Sequence, residues 1–278
     1  MQPSWPIPTN LTVIDVNGYP LTYLERGSGA PLVLVHGATA DYRAWNTVLE
    51  PLAARYRVIA PNLRHYHPEP WKGEGGSFSV EQHADDLAEL VKVLKLGKVH
   101  WLGWSRGGGV MVEVQKRHPE VVRTLIFEDG AINMPIEETE ETRQMASFTR
   151  LTLATLQNNI RSGDLAHAAE VYVDTLNGKG YWSRWPSAMR EMVLQNIYTA
   201  LGDVARPITT PEQVSRFDAP VLLLTGERSP KRYAFFYDEM RKCRNLPETV
   251  VILNASHAIH LDNPERFLSA VLDFLKDH

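Results

Sequence analysis

Short apolar runs alternate with stretches of helical spacing along most of the chain. Residues 11–16 and 21–24 flank Asn17-Gly18, the strongest short turn signal, and read as a hairpin. Residues 31–35, Pro-Leu-Val-Leu-Val, are apolar without interruption, which suits a strand covered on both faces. Asp41 can cap a helix running through residues 49–54, and residues 56–60 make the next strand, ended by Pro61. Ser79 caps a helix reaching about Leu94, with Leu87, Leu90, Val91 and Leu94 at helical spacing. Residues 99–102 are apolar again, a helix over residues 110–116 stops at Pro119, and residues 121–127 form another strand. This order predicts an α/β protein with a mostly parallel, doubly wound sheet.

From Ala131 to about Arg216 the pattern changes. Runs of β-branched residues disappear, and helices are predicted at about 137–160, 163–177 and 186–201, with Pro207 and Pro211 marking the return. Residues 131–216 therefore read as a helical cap insertion in a core made of 1–130 and 217–278. Phe148, Tyr172, Tyr181, Trp182, Trp185, Met189, Met192 and Tyr198 are expected mostly to pack within the insertion, a few of them facing the elbow. Alternation then resumes with a strand at 220–225, a helix at 233–243, a strand at 249–253 and a last helix at 264–276 that starts on Pro264.

Composition narrows the function classes. The 278 residues are 44% hydrophobic and 22% charged, ordinary for a globular protein. The net charge of −4 offers no basic footprint for nucleic acid and no basic stripe for a membrane surface. Cys243 is the only cysteine, so no disulfide can form within the chain and no cysteine-type zinc site can be built. The N-terminal residues carry no charged and apolar leader pattern, and no apolar stretch has membrane-spanning length. The expectation is a cytoplasmic protein, monomer or homodimer, whose partner is a small molecule. His65 and His67 form a His-x-His pair, but without an apparent third ligand they read as loop lining, and no metal or organic cofactor is expected.

One stretch carries chemistry. Gly103-Trp104-Ser105-Arg106-Gly107 is a G-x-S-x-G placed after a strand and before a helix. That context makes it a nucleophile elbow, a sharp turn that lifts a serine hydroxyl clear of the sheet. Strand and helix pass so closely there that the positions two before and two after must be glycine or nearly so. A serine hydroxyl needs a base to take its proton. His257 follows the last predicted strand, at the sheet edge where ligands bind and downstream of the serine. His260 falls where the chain turns into the last helix, and His36 sits beside Gly37-Ala38, which suit another task. A carboxylate must then orient the imidazole. Glu128 and Asp129 at one strand end, and Glu227 at another, are open to that role.

The His36-Gly37 loop, the Gly103–Gly107 elbow, the helical insertion and Ser-His-Ala-Ile-His-Leu-Asp-Asn-Pro around His257 resemble the α/β-hydrolase family over nearly the whole chain. In many members the acid stands three residues after the glycine ending the penultimate strand; here that residue is Ser229. Another branch, resembling haloalkane dehalogenases and some lactone hydrolases, takes its acid about twenty-four residues past the nucleophile, and 105 + 24 is Asp129. The resemblance thus implies a Ser105-His257-Asp129 triad, with Glu128 second and Glu227 third as the acid. It implies an oxyanion hole made by the N–H groups of Ala38 and Arg106. Serine as nucleophile, and no side-chain donor at Ala38, argue against dehalogenation; the serine argues against epoxide hydrolysis. The Arg106 side chain, where a small or apolar residue is commoner, is expected to pair with a carboxylate beneath the elbow rather than enter the pocket. The implied activity is hydrolysis of a medium-sized hydrophobic or aromatic ester or lactone through an acyl-enzyme. Hydrolysis of a carbon–carbon bond in a ring-cleavage product and a non-catalytic receptor or scaffold on the same fold are the alternatives.

Overall fold

The uninterrupted apolar runs become the middle of a sheet. In a computed structural model of the chain, which describes residues 3–202 and 206–278, eight strands pair into one sheet. Met1, Gln2 and 203–205 (the last three inside the expected cap segment) lie outside the described residues. The strands are β1 (Thr12–Val16), β2 (Tyr19–Arg26), β3 (Pro31–Val35), β4 (Arg57–Pro61), β5 (Val99–Trp104), β6 (Val122–Glu128), β7 (Val221–Gly226) and β8 (Val250–Ile252). Their order is β1-β2-β4-β3-β5-β6-β7-β8. The β1–β2 hairpin turns on Asn17 and Gly18, both at positive φ, and β2 runs antiparallel to β4. Every pairing from β4 to β8 is parallel, as the alternation predicts.

The connecting helices are α1 (Leu49–Ala53), α2 (Val80–Val93) and α3 (Arg106–Arg117) in the first half. Between β6 and β7 lie α4 (Glu140–Arg161), α5 (Leu165–Asn177), α6 (Tyr181–Arg184), α7 (Ser187–Asn196), α8 (Thr199–Gly202) and α9 (Pro211–Ser215). Then come α10 (Arg232–Cys243), α11 (Ile259–Asp262) and α12 (Pro264–Lys276). One apolar cluster joins a face of the sheet to α2, α3 and α10 through Leu87, Leu90, Val110, Val114 and Tyr237. A second joins the other face to α1 and α12 through Leu52, Phe267 and Val271. Both faces of β5 and β7 are covered, so all their residues are buried. Ser79 caps α2 by accepting from Gln82 N–H, as its sequence suggested.

The insertion has its own small core of Leu156, Ile160, Val173 and Ile197. Tyr172, Tyr181, Trp182 and Tyr198 pack on it, Phe148 is exposed, and Met189 and Met192 join the core cluster instead. Several boundaries differ from the sequence reading, and three of the differences have a clear cause. The helix expected at 186–201 breaks after Asn196, whose side chain turns into the core while its carbonyl accepts from the Thr199 hydroxyl. Pro211 starts α9 behind a Thr210–Gln213 capping box, since proline at a first helical turn lacks only an N–H that would have no partner anyway. The helix expected at 49–54 is preceded by a 3₁₀ turn at Tyr42–Thr47, and it is this turn that Asp41 caps.

Candidate active site

The elbow is built as the sequence required. Ser105 sits between β5 and α3 at φ 51°, ψ −117°, a conformation side chains rarely adopt. The surrounding chain over-determines it. Ser105 N–H donates to Glu128 O at 2.9 Å, and Ser105 O accepts from Gly108 N–H at 2.9 Å and Ala131 N–H at 2.8 Å. Both elbow glycines are needed for space: a Cβ on Gly107 would lie 2.1 Å from Val35 O, and one on Gly103 would lie 2.7 Å from the Gly107 carbonyl carbon. Ser105 is 6% exposed.

The loop after β8 carries His257, which is buried against the end of β6. Its Nδ1–H donates to Asp129 Oδ2 at 3.0 Å, so Nε2 is the nitrogen left to act as base. Asp129 is fully buried and collects two further donors, the Thr225 hydroxyl on Oδ1 at 2.7 Å and the Ser229 hydroxyl on Oδ2 at 2.5 Å. Burial raises its pKa, and the bonds from His257, Ser229 and Thr225 act against that rise. Ser229, at the place where many relatives carry the acid, therefore serves the carboxylate that arrives from the neighbouring strand.

The two other carboxylates go elsewhere. Glu128 Oε1 accepts from His260 Nδ1–H at 2.7 Å and from His260 N–H at 2.9 Å, both side chains fully buried. Adjacent carboxylates thus hold two histidines three residues apart. Glu227 lies at the surface and accepts from Asn254 N–H. Trp104 links the two pairs: its indole N–H donates to His257 O at 2.9 Å, and its ring meets His260 edge-on at 5.0 Å.

The insertion braces the same loop. Asn177 accepts from Ala258 N–H at 3.1 Å, and the Tyr181 hydroxyl bonds Asp262, whose other oxygen accepts from Ser256 N–H at 2.6 Å. A small cavity of about 20 Å³ lies between insertion and core. Ser105, His257, Ala38 and Trp104 form its floor, and Leu176 and Trp185 are among the insertion residues over it. Arg106 N–H begins α3, where the first amides have no partner within the helix, and Ala38 lines the cavity beside Ser105.

The Arg106 side chain does not line this cavity. It is buried, donates to His83 Nδ1 at 3.1 Å and packs over the Phe78 ring. His83 accepts there because its Nε2–H is used on Arg64 O, and burial and Arg106 hold its pKa well below the ordinary value. His36 is likewise neutral, its pKa lowered by burial to about 4, with Nε2 accepting from Leu63 N–H. His65 bonds Glu69 and stacks on Trp71, and the His67 amide reaches Asn196.

The sequence reading passed over Tyr233. Its ring stacks on His257 with centroids 4.8 Å apart and planes 6° apart, and its hydroxyl lies 3.3 Å from His257 Nε2. The same hydroxyl accepts from Arg232 Nη2 at 2.7 Å. Nothing in the local pattern of α10 marks it.

Comparison with known proteins identifies the family. The pattern described as "Alpha/beta hydrolase family" matches residues 32–270. The chain is 24% identical to an (E)-2-((N-methylformamido)methylene)succinate hydrolase of Acinetobacter baylyi, over 91% of this chain and 93% of that one. Among solved structures, a thermophilic esterase from Thermogutta terrifontis superposes with a TM-score of 0.76 at 25% identity, covering 96% of this chain and 98% of the esterase. The enol-lactonase of Burkholderia xenovorans LB400 shares the fold, with a TM-score of 0.74 at 19% identity over 95% and 100% of the two chains. The fold, the strand order and a family match over most of the chain agree, and the protein belongs to the alpha/beta hydrolase family.

Proposed function

We propose that this hydrolase cleaves a carboxylic ester or lactone of a medium-sized hydrophobic or aromatic substrate through an acyl-enzyme. Ser105 attacks the carbonyl carbon and passes its proton to His257 Nε2. Asp129 holds the tautomer and steadies the imidazolium. The N–H groups of Ala38 and Arg106 receive the oxyanion. Breakdown of the tetrahedral adduct returns the proton to the leaving oxygen, and water repeats the sequence on the acyl-enzyme.

The observation that carries this reading is the buried 3.0 Å contact between His257 Nδ1 and Asp129, with His257 and Ser105 lining one cavity. The mostly apolar cavity supports an uncharged acyl group, and the similarity to an esterase supports the bond type. The test is a panel of p-nitrophenyl esters, lactones and vinylogous diketones, together with a fluorophosphonate probe. Ester or lactone turnover and labelling are expected, both lost in Ser105→Ala. Turnover of diketones alone would replace the reading with carbon–carbon hydrolysis. An unlabelled, inactive wild type would leave a scaffold.

A further inference from the structure

We propose that Tyr233 is a further catalytic residue, its hydroxyl donating a hydrogen bond to the leaving-group oxygen. This rests on the ester-hydrolase reading of the Ser105 site. Three features of the geometry support it. First, the phenol oxygen lies 3.3 Å from His257 Nε2, the nitrogen that hands the proton on. The leaving oxygen must come within hydrogen-bond reach of Nε2 to take its proton, so it passes within reach of the phenol. The oxyanion goes to a different place, the backbone amides of Ala38 and Arg106.

Second, the phenol is set up to donate rather than accept. His257 Nδ1–H is committed to Asp129, so Nε2 is an acceptor and the phenol is the donor in their 3.3 Å contact. Arg232 Nη2 donates to the phenol oxygen at 2.7 Å, and its guanidinium lies 4.7 Å from the centre of the Tyr233 ring. A lone pair is therefore occupied, the O–H proton points elsewhere, and a donor polarised by a cation is the stronger donor. Third, burial raises the pKa of the phenol, which keeps its proton at neutral pH.

The step balances without a new reactant. As the carbonyl re-forms, the bond from carbon to the leaving oxygen breaks and its electron pair stays on that oxygen. The imidazolium proton moves to it, and Tyr233 O–H holds it by a hydrogen bond that strengthens as charge builds. Tyr233 ends the step protonated. Arg232 acts through Tyr233 and is a positioning residue.

The consequence is a dependence on the leaving group. An alkoxide needs this help and p-nitrophenolate hardly does. Purified wild type, Tyr233→Phe and Arg232→Gln are compared on ethyl and p-nitrophenyl esters of one acid, reading kcat/KM, which reports acylation. Phenylalanine keeps the stack on His257 and removes only the oxygen. Removal of one donor to developing charge typically costs on the order of 10²-fold. Tyr233→Phe is expected to lose about that factor on the ethyl ester and at least roughly tenfold less on the aryl ester, with Arg232→Gln following in the same direction but less steeply. Equal losses on both esters, or no loss, would show that Tyr233 only supports the imidazole and would overturn the proposal. A wild type that takes neither ester and is not labelled by fluorophosphonate would overturn the underlying reading and this assignment together.

Discussion

The buried Asn196 amide is one of the ties between the helical insertion and the core, and changing its charge tests that junction. Asn196 is 1% exposed. Its Nδ2 donates to Asp41 Oδ2 at 2.7 Å and to Met192 O at 2.9 Å, and its Oδ1 accepts from His67 N–H at 2.7 Å. Asp41, also buried, keeps three donors from Arg43. Asn196→Ala removes one bond to a charged group, worth about 1.5–3 kcal/mol, and strands the His67 N–H, worth about 1–3 kcal/mol. Because that amide is only partly buried, water recovers some of the loss, and roughly 2–4 kcal/mol is expected. Asn196→Asp is the sharper probe. It keeps the shape and the acceptor for His67 but sets a second carboxylate oxygen 2.7 Å from Asp41. The pair cannot both stay ionised, so the folded-state pKa of one is raised. A raised acid contributes stability below its unfolded value of about 3.9 and loses it as pH climbs through the folded value. A rise of two units costs about 3 kcal/mol once pH exceeds both values. Urea unfolding at pH 5 and pH 8 measures this. The loss relative to wild type should be larger at pH 8. A pH-independent change under about 0.5 kcal/mol would refute the placement of the amide against Asp41.

Three further outcomes are expected. Gly107→Ala drives a Cβ into backbone atoms, 2.1 Å from Val35 O and 2.9 Å from His36 O, and should cost 3 kcal/mol or more, whereas Gly18→Ala meets nothing within 4 Å and should cost only the about 1 kcal/mol of its positive φ; similar losses on urea unfolding would contradict the elbow geometry. His36 stays neutral down to about pH 4 in the fold but takes a proton near pH 6.5 when unfolded, so stability is complete above 6.5 and falls by on the order of 3 kcal/mol towards pH 4; a flat profile across that window would mean the imidazole is not buried uncharged. Asp129→Asn should lower kcat by about 10⁴-fold while Glu227→Gln stays close to wild type, and the reverse pattern in an ester assay would move the acid to the β7 loop.

Much of this protein is written locally. Apolar runs, the Asn17-Gly18 turn, caps and breakers placed all eight strands; the central ones, such as β5 and β7, stand out because a strand covered on both faces is mostly apolar. The elbow was legible for the same reason: the glycines at 103 and 107 answer a steric demand made by residues only a few positions away. The break after Asn196 was not, because it follows from bonds to Asp41 and His67 more than 120 positions distant. The site divides in the same way. Ser105 and His257 announce themselves by what precedes them in the chain. Which of two neighbouring carboxylates faces which histidine depends on how β6 ends beside the β8 loop, and a pattern of residue types is identical for either pairing. Tyr233 is further out of reach: it is one aromatic residue in an ordinary helix until the parallel β6–β7–β8 pairing swings α10 against His257. Short-range sterics and burial are encoded residue by residue, whereas contacts between distant strand ends exist only once the sheet has fixed their register.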